Sequence, residues 1–164
     1  MAKSLRTTHD LVTSNLRAVI QNLQTAAADM VMNSAGLAIK AGGSAVVKSV
    51  NTVTAMIDGV LVSKAAADMA ALVGTIAAAK KGVFVFTLKA DGTLTTRAGL
   101  LTAASLAAIT FPAIPAGEVV VGFLVVENGT ASDFVGGTTA LDTASLTCTY
   151  VNTPFPFNPN VVTL

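Results

Sequence analysis

Apolar residues between positions 5 and 33 recur at alternating steps of four and three, as on one face of a supercoiling helix. The pattern predicts an amphipathic helix that ends at Ser34 and Gly36. Further apolar residues widen the stripe, which favours a three-stranded bundle or packing on another protein, with a helix lying on its own domain as the alternative. The stripe consists of Leu5, His9, Val12, Leu16, Val19, Leu23, Ala26 and Met30.

From Leu37 onward the pattern changes to short runs of β-branched and apolar residues separated by glycines. Asp58-Gly59 and Asp91-Gly92 each lie between two such runs, which predicts two β-hairpins. Phe84 and Phe86 occupy alternate positions before the second turn, so both side chains are expected to point into the core. The chain after the helix is therefore predicted to be an antiparallel β-structure.

The segment 118–127, EVVVGFLVVE, is apolar on both faces and predicts a central strand that is buried on each side. Residues 110–117 contain two prolines and predict an extended, non-central segment. The proline-rich tail from Thr149 is expected to be extended without regular structure. The alanine-rich stretch 65–81 is compatible with a helix or a loop.

These patterns predict a mainly β chain with two parts. Residues 1–35 form an N-terminal amphipathic helix that acts as an oligomerisation or docking arm. Residues 36–164 form a small antiparallel β-sandwich or barrel-like domain with an extended Pro/Phe-rich tail. The composition supports thin β layers, because the chain is rich in alanine, valine and threonine and has 7 Phe and no Trp.

The charge pattern removes several classes of function. Only 12% of the residues are charged, the formal net charge is +1, and the basic residues are scattered, which argues against nucleic-acid binding. The N-terminus lacks an apolar signal core, and the apolar stretch Ala65–Ala79 is too short to cross a membrane. We therefore expect synthesis in a cytoplasm, with neither nucleic acid nor membrane as a partner.

Residues for catalysis or for metal binding are scarce. His9 is the only histidine and Cys148 the only cysteine, so neither a zinc site nor an internal disulfide is expected. Asp133 and Asp142 can approach each other across a loop, which leaves a calcium site open as a hypothesis. No catalytic residue and no cofactor are predicted, and the chain is not expected to be an enzyme.

The stretch DFVGGTTALD, residues 133–142, resembles a ligand loop at first sight. It lacks the lysine of a phosphate-binding loop, so a conformational role is the better interpretation. Gly136 and Gly137 would reverse the chain after the central strand, and Phe134 would anchor the turn in the core. Asp142 would restrain the segment that follows. Asn128-Gly-Thr130 is likewise expected to be only a turn.

The order IPAGEVVVGFLVVENGTASDFVGGTTALD, followed by FPFNP, resembles small structural proteins of tailed bacteriophages, described as capsid decoration (cement) or head-fibre proteins. The likeness covers roughly residues 37–157. The family often has NPTGTGDF where this chain has residues 127–134, and the helix of residues 5–33 is not carried over. The matching positions are Pro112, Ile114, Pro115, Ala116, Gly117, Glu118, Gly122, Phe123, Phe134, Val135, Gly136, Gly137, Thr138, Thr139, Leu141 and Asp142.

The resemblance implies a homotrimeric β-domain on the surface of the virion that binds the assembled head near local threefold positions. Its partners would be two further copies of itself and the major capsid protein, whose neighbouring subunits it would clamp. A phage tail or fibre component, or another host-recognition module, is the alternative function. The residues expected at the oligomer or capsid interface are Leu5, Val12, Leu16, Val19, Leu23 and Met30.

Overall fold

A computed structural model describes residues 16–20 and 28–154 of the chain. Residues 16–20 and Ala28 are helical, and a single turn of 3-10 helix spans Leu106–Ala108. The rest of the regular structure is β, as predicted. The strands are β1 (Met30–Val31), β2 (Leu37–Ile39), β3 (Val47–Ser49), β4 (Val53–Ile57), β5 (Val60–Lys64), β6 (Thr75–Ile76), β7 (Lys81–Lys89), β8 (Leu94–Ala98), β9 (Glu118–Asn128), β10 (Phe134–Val135) and β11 (Leu146–Asn152).

The strands form antiparallel sheets. The largest has the order β11-β9-β7-β8, and a second has the order β1-β4-β5. Strands β2 and β3 form a separate pair, as do β10 and β6. Because β1 and β4 lie against β9, the three-stranded sheet faces the four-stranded one in a sandwich-like arrangement. The described strands show no barrel closure, so the barrel-like alternative does not apply.

The first hydrophobic core lies between the two larger sheets. The three-stranded sheet contributes small β-branched and alanine side chains, whereas β7 contributes the rings of Phe84 and Phe86, both fully buried. The prediction that these two rings point into the core is therefore confirmed. Further members of the core are Val31, Val53, Ala55, Ile57, Leu88, Val119, Val121, Leu124, Val126 and Phe134.

A second core covers the opposite face of the four-stranded sheet. Val83 and Val85 of β7, with Phe123 of β9, pack against residues from the segment that follows β8. Phe111 of that segment meets Phe123 edge-on, with 5.0 Å between ring centroids. Strands β7 and β9 are thus buried on both faces, which confirms the prediction of a central strand over 118–127.

A β-bulge in β9 allows this one strand to serve both cores. Phe86 pairs with Gly122 and Thr87 pairs with Val120, so Val121 is an extra residue without a partner on β7. Gly122 is required beside it, because a Cβ atom there would lie 2.4 Å from the carbonyl oxygen of Val151. The bulge therefore shifts the in-and-out alternation of β9 by one residue.

Both predicted hairpins are present. Asp58 and Gly59 link β4 to β5 with φ values of 51° and 74°, which is the two-residue turn favoured by the twist of paired strands. At the second turn, between β7 and β8, the N–H of Gly92 donates to the carbonyl oxygen of Lys89 at 2.9 Å. Both turns therefore form where the local sequence predicts them.

The predicted helix ends earlier than expected. Met30 lies in β1 opposite Met56, and the next residue, Val31, is buried in the first core. Asp29 accepts a hydrogen bond from the N–H of Asp58 at 2.8 Å, which directs the chain into the sheet. Met30 is therefore wrong as a member of the helical stripe, because pairing with β4 outweighs the heptad spacing. The β-structure begins at residue 30, before the predicted boundary at 36.

Two further segments differ from expectation or settle an open choice. Residues 149–152, predicted to lack regular structure, belong to β11, because alternate apolar residues pack on the first core before the prolines begin at Pro154. The alanine-rich stretch 65–81 contains no helix. It is an extended loop that includes β6 and buries Met69 and Leu72.

Candidate functional site

The motif turn, residues 133–142 with the sequence DFVGGTTALD, is anchored in the fold by Phe134. Phe134 is 1% exposed and pairs with Ile76 across the short sheet of β10 and β6. Its ring lies 6.2 Å from that of Phe84, measured between centroids. Phe134 thereby attaches the turn to the core between the two larger sheets.

Gly136 and Gly137 allow a close approach of backbones and a sharp reversal. The N–H of Gly136 donates to the carbonyl oxygen of Gly74 at 2.9 Å, and a Cβ atom at Gly136 would lie 2.9 Å from the carbonyl oxygen of Leu72. Gly137 has a φ of +73°, a conformation that favours glycine. The N–H of Thr139 then closes the turn on the carbonyl oxygen of Val135 at 2.8 Å.

The two acidic residues of the motif each hold a different loop. Asp142 accepts a hydrogen bond from the N–H of Gly43 at 2.8 Å, and Asp133 accepts one from the N–H of Ala78 at 3.0 Å. Asp142 therefore restrains the loop between β2 and β3, not the segment that follows it as predicted. Within 16–20 and 28–154 there is no group of three or more His, Cys, Asp and Glu residues that could hold a metal ion.

A charged cluster at one end of the four-stranded sheet was not foreseen from the sequence. Arg97 donates two hydrogen bonds to Glu118, from Nε at 3.0 Å and from a terminal nitrogen at 2.6 Å. Thr87 donates a third at 2.7 Å, and the Glu118 side chain is only 6% exposed. The hydrogen bonds from the Arg97 guanidinium hold the pKa of Glu118 below its usual range and raise the pKa of Arg97.

This cluster has a structural role in the geometry observed. Each oxygen of the carboxylate is used by a partner from β7 or β8, so Glu118 joins the start of β9 to the adjacent strand β7 and to β8 beyond it. The sequence feature that could have indicated this cluster is Arg97, a charged residue within an otherwise uncharged strand pattern. Sequence spacing alone does not give the cross-strand register that brings Arg97 to Glu118.

Asn128 was expected only to open a turn, but it closes the end of β9. Its side chain is buried and donates to the carbonyl oxygens of Ile76 at 2.9 Å and Ser132 at 2.9 Å. A third acceptor is the carbonyl oxygen of Ala77 at 3.2 Å. The amide nitrogen of Asn128 is thus fully occupied in holding two loops together.

The expected interface residues fall in three places. Leu16 and Val19 lie in the helical segment and are 57% and 53% exposed. Met30 lies in β1 and is partly buried. Leu5, Val12 and Leu23 lie outside the described residues, as does His9. The two described helical positions therefore present apolar side chains to solvent.

Cys148 and Tyr150 lie on the same side of β11 and pack on the first core. Burial raises the pKa of the Cys148 thiol to about 11 and that of the Tyr150 hydroxyl to about 12. A thiol with a raised pKa is a poor nucleophile near neutral pH. This environment is typical of a structural cysteine.

The opposite side of β11 borders an open groove of about 280 Å³. The groove is mainly apolar and runs along β9 and β11 beside the short 3-10 helix. Its lining residues are Leu106, Phe123, Val125, Glu127, Thr149 and Val151. Glu127 at its end is paired with Lys81, so the groove presents no unpaired charge from these lining residues.

In the described parts of the chain no helix is long and apolar enough to span a membrane. Comparison of the chain with protein-family models, with curated proteins and with solved structures finds no match.

Proposed function

We propose that this chain is a structural protein of a tailed-bacteriophage virion that binds the assembled head as a homotrimer and stabilises contacts between capsid subunits. In this proposal the protein is made in the host cytoplasm and ends on the capsid surface. Its partners are two further copies of itself and the major capsid protein. It carries out no catalysis and requires no cofactor.

The observation that carries the proposal is the position of the motif residues in which this chain resembles phage head proteins. Phe134 is buried in the core, and Gly136 lets two backbone segments approach closely. Asp142 joins two loops through a hydrogen bond. Residues with such roles determine a backbone conformation and supply no chemistry. A likeness in them therefore supports a shared architecture of the β-domain.

A second observation supports self-association. Leu16 and Val19 lie on one apolar stripe of the helical segment, and both are more than half exposed. Burying such a stripe against copies of itself removes apolar surface from water, which favours association. A trimer would also engage several capsid subunits at once, so individually weak contacts would sum to firm binding.

A protein that binds the assembled shell but not the free capsid subunits would stabilise the shell, because binding shifts the assembly equilibrium toward the assembled state. The test is to mix the purified protein with capsids assembled without it and to image the particles. Added density at regular positions on the shell is the expected result. Density only at the tail would support the fibre or host-recognition alternative, and absence of any added density would reject both.

A further inference from the structure

Strand β11 is one edge of the four-stranded sheet, and its hydrogen-bonding pattern can be assigned from its two ends. The N–H of Gly129 donates to the carbonyl oxygen of Ser145 at 2.8 Å, and the N–H of Thr153 donates to that of Val121 at 3.3 Å. These residues face each other in the same antiparallel register as β11 and β9. Hydrogen-bonded and non-hydrogen-bonded pairs alternate in such a ladder. The backbone groups of Cys148 and Tyr150 therefore point outward, away from β9.

The outward backbone groups of Cys148 and Tyr150 have no hydrogen-bonding partner among the described residues, whereas the N–H of Leu146 donates to the carbonyl oxygen of Thr143 at 2.9 Å. Edge strands are usually protected from pairing with other chains by a charge, a proline or a bulge. Strand β11, with the sequence LTCTYVN, has no charged residue, no proline and no break in its register with β9. The other edge, β8, contains Arg97 and is covered where Thr96 donates to the carbonyl oxygen of Ala70 at 2.6 Å.

We propose that β11 pairs antiparallel with β11 of a second copy of this chain, so that the two four-stranded sheets become continuous. In the pairing that we infer, a twofold axis passes beside Thr149, and Cys148 of each copy lies opposite Tyr150 of the other. The outward backbone groups of both residues then form a hydrogen-bonded pair. An isologous contact of this kind requires a surface that is complementary to itself.

The side chains of β11 are compatible with such self-pairing. Cys148 and Tyr150 lie on the core side, and Thr149 and Val151 lie on the groove side. Thr149 would face its equivalent across the axis, a pair that brings no like charges together. The apolar groove runs beside the edge, so the paired copies would join their two grooves into one continuous apolar face.

The chain's own tail is a poorer occupant of this edge. A tail that turned back beside β11 would place Pro156 and Pro159 in the pairing stretch, and proline has no N–H to donate to a ladder. A second β11 offers the outward N–H groups of Cys148 and Tyr150 in the middle of the same stretch. The edge therefore fits another copy better than it fits residues 155–164.

This inference does not depend on the proposed function. The proposed trimer uses the apolar stripe of the N-terminal segment, whereas the twofold contact uses β11. Both contacts can therefore be present in one assembly. Each contact can be measured when the other is lost, because loss of the trimer contact lowers the mass threefold and loss of the β11 contact lowers it twofold.

The test places charges on the proposed axis of the full-length protein. Thr149 is exposed, so Thr149→Lys and Thr149→Glu are compatible with the fold, yet each would bring like charges together across the pair. We expect light scattering to give either variant about half the mass of the wild type. An equimolar mixture of the two variants should recover the wild-type mass. Thr75→Lys, at an exposed position on β6, serves as the control and should keep it.

A covalent measurement gives an independent readout. Cα atoms of a non-hydrogen-bonded antiparallel pair are about 4.5 Å apart, which a disulfide can span. The variant that combines Cys148→Ser with Thr149→Cys should therefore form a disulfide-linked dimer on oxidation. Equal masses for the wild type and Thr149→Lys, together with a lack of cross-linking, would overturn the proposal. Dimers that form only when the chain is cut after Pro154 would also overturn the proposal, because residues 155–164 would then be what occupies the β11 edge in the full-length protein.

Discussion

Asp142 and Gly43 are 99 positions apart in the sequence, yet the carboxylate of the first accepts a hydrogen bond from the backbone N–H of the second at 2.8 Å. Next to it, the N–H of Leu141 donates to the carbonyl oxygen of Ser44 at 2.9 Å. These contacts attach the end of the motif turn to the loop between β2 and β3. The acidic residue of the motif thus serves long-range loop attachment.

Replacing Asp142 by alanine should lower the free energy of unfolding by about 1 kcal/mol, because a charge-assisted hydrogen bond is lost at an exposed site. Asp142→Asn is the matched control, since its side chain keeps an oxygen acceptor, and it should lose less. Urea unfolding of the three proteins measures the difference. Equal stability of the wild type and Asp142→Ala would contradict this role.

Gly136→Ala should destabilise the fold by about 1–3 kcal/mol, because the added methyl group would press on the backbone of Leu72 at 2.9 Å. Gly42→Ala is the control. A Cβ atom at residue 42 would have only the Asp142 carboxylate nearby, at 3.8 Å. The substitution should therefore lower the stability of the fold only slightly. Thermal unfolding of both variants tests this, and a Gly136→Ala protein as stable as Gly42→Ala would refute the close approach.

Glu118→Gln should cost about 2 kcal/mol of stability, because it leaves the guanidinium of Arg97 without its charged partner in a mostly buried place. The exposed pair of Lys40 and Asp68 offers a comparison, with side chains 50% and 44% exposed. Asp68→Asn should change stability by less than about 1 kcal/mol. Denaturant unfolding of the two variants at neutral pH should therefore rank Glu118→Gln as the more damaging.

The same carboxylate should make stability depend on pH in the acidic range. The pKa of Glu118 is lowered in the folded protein from its ordinary value of 4.5, so the unfolded chain takes up this proton first as the pH falls. The stabilisation is complete above the unfolded pKa and is lost as the pH falls through the folded pKa. The difference in unfolding free energy between wild type and Glu118→Gln should thus narrow as the pH falls below the ordinary value of 4.5 and on through the lowered pKa of the folded protein. A constant gap would contradict the shift.

Leu16→Asp should prevent self-association through the N-terminal segment, because it places a charge on the apolar stripe. Ala18→Asp is the matched control, since residue 18 lies off the stripe in the same helical segment. Light scattering should show about a threefold lower mass for Leu16→Asp than for Ala18→Asp. Equal masses would reject the stripe as the trimer contact.

Local sequence signals predicted much of the fold. Asp58-Gly59 and Asp91-Gly92 specify hairpins because their backbone requirements are met within a few residues. The central position of the segment 118–127 could be predicted, because a strand that is covered on both faces has apolar residues on both faces. These features depend on neighbours in the chain, so one sequence is enough to predict them.

Features set by long-range pairing were not predictable in the same way. Met30 matches a heptad position, yet its conformation is decided by pairing with Met56 on β4. The contact of Arg97 with Glu118 depends on the register of β8, β7 and β9, which includes a bulge. The three acceptors of Asn128 come from two loops that only the complete fold brings together. Spacing along one chain does not determine any of these registers.

The position of β9 in the chain has a consequence for synthesis on the ribosome. This strand lies between β7 and β11 and also contacts β1 and β4, so it completes both hydrophobic cores. It begins only at residue 118, after the hairpins that it joins have already been translated. The nascent chain must therefore hold two apolar layers without their central partner until residues 118–128 have been made. Slow translation through this region would prolong the exposure of those layers to chaperones and proteases.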